Sequence, residues 1–240
     1  MKKINSIKFL SVFLISFLTI IQWSEANALP LLQLDIKEGY YVGGEEESTL
    51  TYSPIFTLQA LARGEADASD ELNNSKSITS GQTAYLSVAV EVDPKGTNDP
   101  SYAGGSIDNN SLTGWSYGNP FGNKNQKGHG IFQTLYTEVA FTFTDGDFCS
   151  DCLWNAQDGS ATNFDGFIHE FSVDLTDIWS FIIDEEIDSY HFDLYTKKAD
   201  GSIQYFAPFS HDAAATVPEP STILLLGSGL LGLAFFKRRK

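Results

Sequence analysis

Two cysteines stand three positions apart in Asp147-Phe148-Cys149-Ser150-Asp151-Cys152, and carboxylates crowd around them at Asp145, Asp147, Asp151 and Asp158. Hard oxygen ligands gathered this closely suit calcium, although the run has neither EF-hand spacing nor a bidentate Glu at the required position. The plainer reading is a polar hairpin tip, which needs no cofactor. In a cytosolic protein C-x-x-C suggests redox work or half a zinc site. This chain carries export signals (below) and lacks a second ligand pair nearby, so the spacing predicts a local Cys149–Cys152 disulfide of modest stabilising effect. Zinc would have to recruit ligands from His129, His169, His191 and His211, which are scattered along the chain.

Other residues could do chemistry singly. His129 lies between two glycines ahead of a strand, and His211-Asp212 lies near the end of the central region. Either could hold a metal or act as a base, but a histidine hydrogen-bonding backbone at a strand end is the commoner outcome. Trp115, Tyr117 and Phe121 fall in a stretch rich in Gly and Asn, and Trp154 follows the cysteines. Exposed aromatics beside carboxylates suit sugar stacking, and the same residues equally suit core anchors. No nucleophile elbow, H-E-x-x-H or Walker loop is present. Gly227-Ser228-Gly229-Leu230-Leu231-Gly232 matches G-x-G-x-x-G, but it lies inside an apolar segment without a βαβ unit, where glycines serve close helix packing instead. A glycosidase would need two acids about 5–10 Å apart in a cleft. Glu138 and Glu170, each on a predicted strand, are the first suspects for that role.

The elements that must position these residues are strands. Val139, Phe141 and Phe143 alternate with polar residues in 136–144, as do Phe167, His169, Phe171 and Val173 in 167–175. That is the period of a half-buried strand. Residues 84–92, 190–196 and 203–206 read as strands, the last two joined by a turn over 198–202. Residues 31–36, 48–52 and 55–62 are earlier strands, and Pro54 separates the latter pair. Only 176–186 hints at a helix. Residues 94–130 hold eight glycines and six asparagines and form a long loop, interrupted by one strand near 112–117. Many short strands with polar turns predict an all-β domain, an antiparallel β-sandwich or a neighbouring jelly roll.

The two ends differ from this domain. A basic start, the apolar run Phe9–Ile21 and the small-residue site Ala26-Asn27-Ala28 make a signal peptide over 1–28, cleaved after Ala28 by signal peptidase. At the other end Val217-Pro218-Glu219-Pro220 precedes the apolar Ile223–Phe236, and Lys237-Arg238-Arg239-Lys240 follows. The prolines keep the short motif extended. The apolar stretch forms a short transmembrane helix, and the basic cluster holds the C-terminus in the cytoplasm. The domain over 29–216 is then outside, and the tail spans 217–240.

Charge points the same way. Three of the 15 basic residues lie in the signal and four in the tail, while only two of the 31 acidic ones lie outside 29–216. The exported domain therefore carries about −21, which argues against nucleic acid and anionic lipid as partners.

The tail closely resembles the PEP-CTERM sorting signal. The resemblance implies a membrane peptidase partner, an exosortase, that recognises Pro218-Glu219-Pro220 and processes the chain near it. It also implies insertion in the inner membrane, followed by placement at the cell surface or outside the cell. A looser resemblance links the exported domain to the choice-of-anchor N family, an uncharacterised surface module. It rests on 34–41, 128–134, 190–195 and 206–212, and supplies no catalytic residues. The expected function is a non-enzymatic surface or matrix protein that contacts exopolysaccharide or a partner protein. A small secreted carbohydrate-active hydrolase is the alternative.

Overall fold

Alternation of apolar and polar side chains decides how this chain packs. The computed structural model describes residues 30–42, 48–64, 77–92, 96–119, 133–157, 159, 164–184, 186–208 and 212–217. The predicted signal peptide, the Pro-Glu-Pro motif, the predicted transmembrane segment, His129, His211, Phe121 and Asp158 lie outside them. Among the described residues no helix is long and apolar enough to cross a membrane.

The described chain is almost entirely β. The strands are β1 (Leu32–Ile36), β2 (Tyr40–Val42), β3 (Ser48–Thr51), β4 (Ile55–Arg63), β5 (Thr83–Glu91), β6 (Ser106–Ile107), β7 (Asn110–Ser111) and β8 (Ser116–Gly118). They continue with β9 (Thr134–Thr142), β10 (Phe148–Cys149), β11 (Gly166–Asp174), β12 (Ser189–Lys197), β13 (Ile203–Phe206) and β14 (Asp212–Thr216). Among the described residues one short α-helix, α1 (Trp179–Ile183), precedes β12, and single 3-10 turns occupy Pro100–Tyr102 and Asp145–Asp147.

Two sheets form. One has six strands in the order β1-β4-β11-β6-β7, with β10 added beside β11. The other has eight in the order β2-β3-β14-β12-β5-β9-β8, with β13 added beside β12. Pairing is antiparallel except between β14 and β3, which run parallel. This is a β-sandwich, as the alternation predicts.

The facing sides of the sheets form the core. Leu32, Leu34 and Ile36 on β1, Phe56, Leu58 and Ala60 on β4, and Phe171 and Val173 on β11 meet Leu86, Val88 and Val90 on β5 and Tyr190, Phe192 and Leu194 on β12. Aromatic pairs lock the contact: Phe56 meets Phe192 edge-on at 5.7 Å between ring centroids, and Phe141 meets Phe171 at 4.9 Å. Each side chain buried this way contributes roughly 1.5–3 kcal/mol.

Two features of the connectivity matter for the site. The chain leaves one sheet at the end of β1 and enters the other at β2, turning through Lys37-Glu38-Gly39. Gly39 is required there, because an added Cβ would lie 2.8 Å from Ile36 Cβ and 2.9 Å from the Leu50 carbonyl oxygen. β14 then inserts between β12 and β3, so the last described strand closes the larger sheet from within.

Several elements differ from the sequence expectation. β2, the β6–β7 hairpin and β14 are additional strands. The strand expected near 112–117 is limited to β8, and the helix expected over 176–186 is limited to α1.

Candidate functional site

β1 faces the core with its even-numbered residues, so Gln33 and Asp35 point to the other face of the six-stranded sheet. Both hold the chain that follows the cysteines. Gln33 Nε2 donates to the Trp154 carbonyl at 3.2 Å, and the Ala156 amide donates back to Gln33 Oε1 at 2.9 Å. The Trp154 indole donates to Asp35 Oδ2 at 3.0 Å, while the Ile36 amide donates to Asp35 Oδ1 at 2.9 Å. Leu153 packs beneath this clamp against Leu61. The approach is close enough that a Cβ on Gly166 would come within 2.4 Å of Leu153 Cδ1. The Cys149–Cys152 disulfide closes the turn that leads into the clamp. The two cysteines of the predicted disulfide thus lie at disulfide distance, 5.9 Å between Cα atoms.

Beside the clamp an open cleft of about 700 Å³ lies where β1 turns into β2. Asp35, Glu38, Tyr41, Thr49 and Gln157 line it. Gln157 Nε2 donates to the Tyr41 hydroxyl at 2.8 Å, which fixes an amide and a phenol side by side. Burial lifts the Asp35 carboxyl above its ordinary value, against the opposing pull of the Trp154 indole, the Ile36 amide and the Thr49 hydroxyl. The cleft thus combines two carboxylates, one of them reluctant to ionise, with oriented hydrogen-bonding groups.

A second constellation lies on the larger sheet. Tyr190, Phe192 and Leu194 point into the core, so His191 and Asp193 occupy the opposite face. The β12–β14 ladder pairs His191 with Ala214 and Phe192 with Ala213. One step further brings Asp193 and Asp212 opposite each other, on the same face as His191. All three are buried, at 3 %, 2 % and 0 % exposure. His191 Nε2 lies 3.3 Å from Asp193 Oδ1 and 3.2 Å from Asp212 Oδ2. Burial opposes the charged imidazole, but the two carboxylates outweigh it and hold the His191 pKa well above its ordinary value. Burial raises Asp212, against the pull of His191. Among the described residues this is the group of His, Cys, Asp and Glu side chains whose ligand atoms come within 4.8 Å of one another.

The residues singled out in the sequence fall in several places. Asp147 accepts from the Thr144 amide at 2.7 Å and contacts His169 Nδ1 at 3.0 Å, so it closes its own turn. Asp145 begins that same turn, and Asp151 lies past Cys149 with a positive φ of 52°. Trp115 packs against the core and donates its indole to the Leu112 carbonyl, while Tyr117 is 52 % exposed on the edge strand β8. Trp154 alone of the three stacking candidates adjoins the cleft. Glu138 and Glu170 correct an expectation. Val139 and Phe171 point inward, so their neighbours Glu138 and Glu170 point outward from different sheets and cannot flank one bond. Glu138 is bound by the Tyr195 hydroxyl and by Lys197 at 2.8 Å, and Glu170 by Gln59 at 2.7 Å.

The described chain ends just past β14, at Val217, where the tail begins. Residues 216–240 match the PEP-CTERM protein-sorting motif. That motif marks an exported protein that an exosortase-type system sorts at the membrane. No curated protein and no solved structure matches the chain. The family-model match does not extend to the residues that resemble the choice-of-anchor N family, and that likeness rests on the sequence alone.

Sequence reasoning missed Asp35, Tyr41 and Gln157, and it did not join His191 to Asp193 and Asp212. The signal for the second group was present in Tyr190-His191-Phe192-Asp193-Leu194, where two ionisable residues repeat at the strand period on the face away from the aromatics. Asp212 needed the β12–β14 pairing, which no local pattern reveals.

Proposed function

We propose that the exported domain is a non-enzymatic surface or matrix module that binds a neutral polysaccharide in the cleft beside Asp35. The observation that carries this reading is the lining itself: a carboxylate, a phenol and an amide, prealigned at the rim of the sandwich with Trp154 fixed next to them. Acceptors and donors held in fixed directions suit the vicinal hydroxyls of a sugar ring. The domain's strong negative charge disfavours anionic polymers and leaves uncharged glycans as the better match. Sorting through the membrane delivers the module to a compartment where such polymers accumulate.

The test is calorimetric titration of the full-length protein in detergent with neutral exopolysaccharide fragments from the producing cells. Gln157→Ala and Tyr41→Phe should weaken binding about 5–10-fold each, the loss of one or two hydrogen bonds. Affinity in both variants equal to that of the unmodified protein would refute the cleft as the site.

One observation favours hydrolysis as a second reading. Asp35 combines a raised pKa with a position in a cleft that also contains Glu38, the pattern expected of an acid catalyst and its companion carboxylate. Release of reducing ends from the same fragments, abolished by Asp35→Asn, would establish it. Binding without release supports the module.

A further inference from the structure

The geometry points to a divalent-cation site, with zinc as the preferred ion, formed by His191 Nε2 and one oxygen each of Asp193 and Asp212. Neither the sorting motif nor the cleft requires it, and it does not depend on the glycan reading.

Three observations converge. The first is spacing. Tetrahedral zinc with ligands about 2.0–2.1 Å away places neighbouring ligand atoms roughly 3.3 Å apart. The Nε2–oxygen separations of 3.3 and 3.2 Å have that length. A charge-assisted N–H···O bond is shorter, about 2.7–2.9 Å.

The second is direction. Both carboxylates approach the same imidazole nitrogen, which carries at most one proton and so cannot donate a full hydrogen bond to each. One cation can accept all three groups at once, which a single N–H cannot do.

The third is charge. Two carboxylates with one imidazolium leave a net negative charge on the three residues, all of them almost fully buried. Two carboxylates with a neutral imidazole and a dication leave none, and charges taken out of water are tolerated when neutralised.

The donor set favours zinc over calcium. Calcium takes six to eight oxygens in a roomier shell, whereas one imidazole and two carboxylates are common zinc ligands. Cys149 and Cys152 are joined to each other and compete for no metal. The cation would tie β14 to β12. Because β14 is the strand from which the sorting tail departs, the metal would fasten the domain's last strand into the larger sheet.

The full-length, untagged protein in detergent is stripped with EDTA, exposed to ZnCl2 and freed of excess by buffer exchange. Its metal content is measured by mass spectrometry and its melting temperature by circular dichroism. The expected result is about one retained zinc per chain and a melting temperature raised by roughly 5–10 °C. His191→Gln and Asp212→Asn should each abolish retention, and His169→Gln should keep it. Zinc held equally by the His191 and Asp212 variants would place it on surface carboxylates and overturn the site. No retention and no thermal shift in the unmodified protein would also overturn it, leaving a buried imidazolium–carboxylate network. If the variants do not fold, Co2+ titration of the unmodified protein decides. Visible bands of tetrahedral cobalt that zinc displaces support the site, and a colourless protein refutes it.

Discussion

Replacing Asp35 separates its two roles, because asparagine keeps an acceptor for Trp154 whereas alanine removes it. Asp35 accepts from the Trp154 indole at 3.0 Å and the Ile36 amide at 2.9 Å, and both bonds end on a carboxylate. A hydrogen bond to a charged group contributes about 1.5–3 kcal/mol, and a half-buried indole N–H left alone adds part of its own desolvation cost. Asp35→Ala should therefore lose roughly 2–3 kcal/mol, which for a chain of this size lowers the melting temperature by about 4–12 °C. Asp35→Asn should lose less, about 1 kcal/mol at neutral pH: its single carbonyl oxygen can keep the indole while the Ile36 amide loses its acceptor, and relief of a half-buried charge offsets part of that loss. The pH dependence gives the sharper test. Burial lifts the folded pKa above 3.8, so just above that value the folded state binds more protons than the unfolded one. Asp35 therefore contributes most at low pH, and its contribution declines as pH rises through the folded pKa. Asp35→Asn lacks this slope, so its stability relative to the parent should improve as the pH rises. Urea unfolding at several pH values measures the difference directly. A relative stability that falls with pH, or an asparagine variant as damaged as the alanine one, would refute the clamp and its electrostatics.

Three other outcomes can be measured. Reducing Cys149–Cys152, which closes a loop with a sequence separation of 3, should cost only about 2 kcal/mol by loop entropy, and intact mass should rise by two hydrogens. Asp147 should contribute to acid resistance: burial pushes its pKa up, but the Thr144 amide and hydroxyl and His169 outweigh that and hold it below 3.8. Its stabilisation is thus complete above 3.8 and lost as pH falls through the lower folded value, and Asp147→Asn should erase that part of the acid-unfolding curve. Replacing Pro218 and Pro220 together by alanine should block processing of the tail, so that the mature protein keeps its C-terminal residues by mass and stays with the membrane fraction.

The sandwich was legible because its long strands carry their burial in a period of two. β5, β9, β11 and β12 each place aromatic or branched residues on alternate positions, and a one-residue slip would turn that set out of the core. β14 gave no such signal. Asp212-Ala213-Ala214-Ala215-Thr216 is rich in alanine, a weak strand former, and becomes a strand because β12 and β3 flank it on both sides. β2 is likewise only three residues long and exists by pairing with β3. Tertiary pairing supplied what local propensity did not.

The candidate sites were less legible for a related reason: each joins segments far apart in the chain. The cleft needs β1, the β1–β2 turn and the residues after the cysteines, and what joins them is a clamp from Gln33 and Asp35 across more than a hundred positions. Glu138 and Glu170 illustrate the reverse error. Each alternates correctly on its own strand, but parity on a strand says only that a residue faces outward, and a sandwich has two outward faces. The aromatic pattern that identified the fold therefore also sent those two acids to opposite sides. The same parity that kept His191 and Asp193 out of the core set them beside Asp212 once β14 was in place. Both candidate sites thus lie on the faces the core does not use, at the points where a strand is recruited by its neighbours.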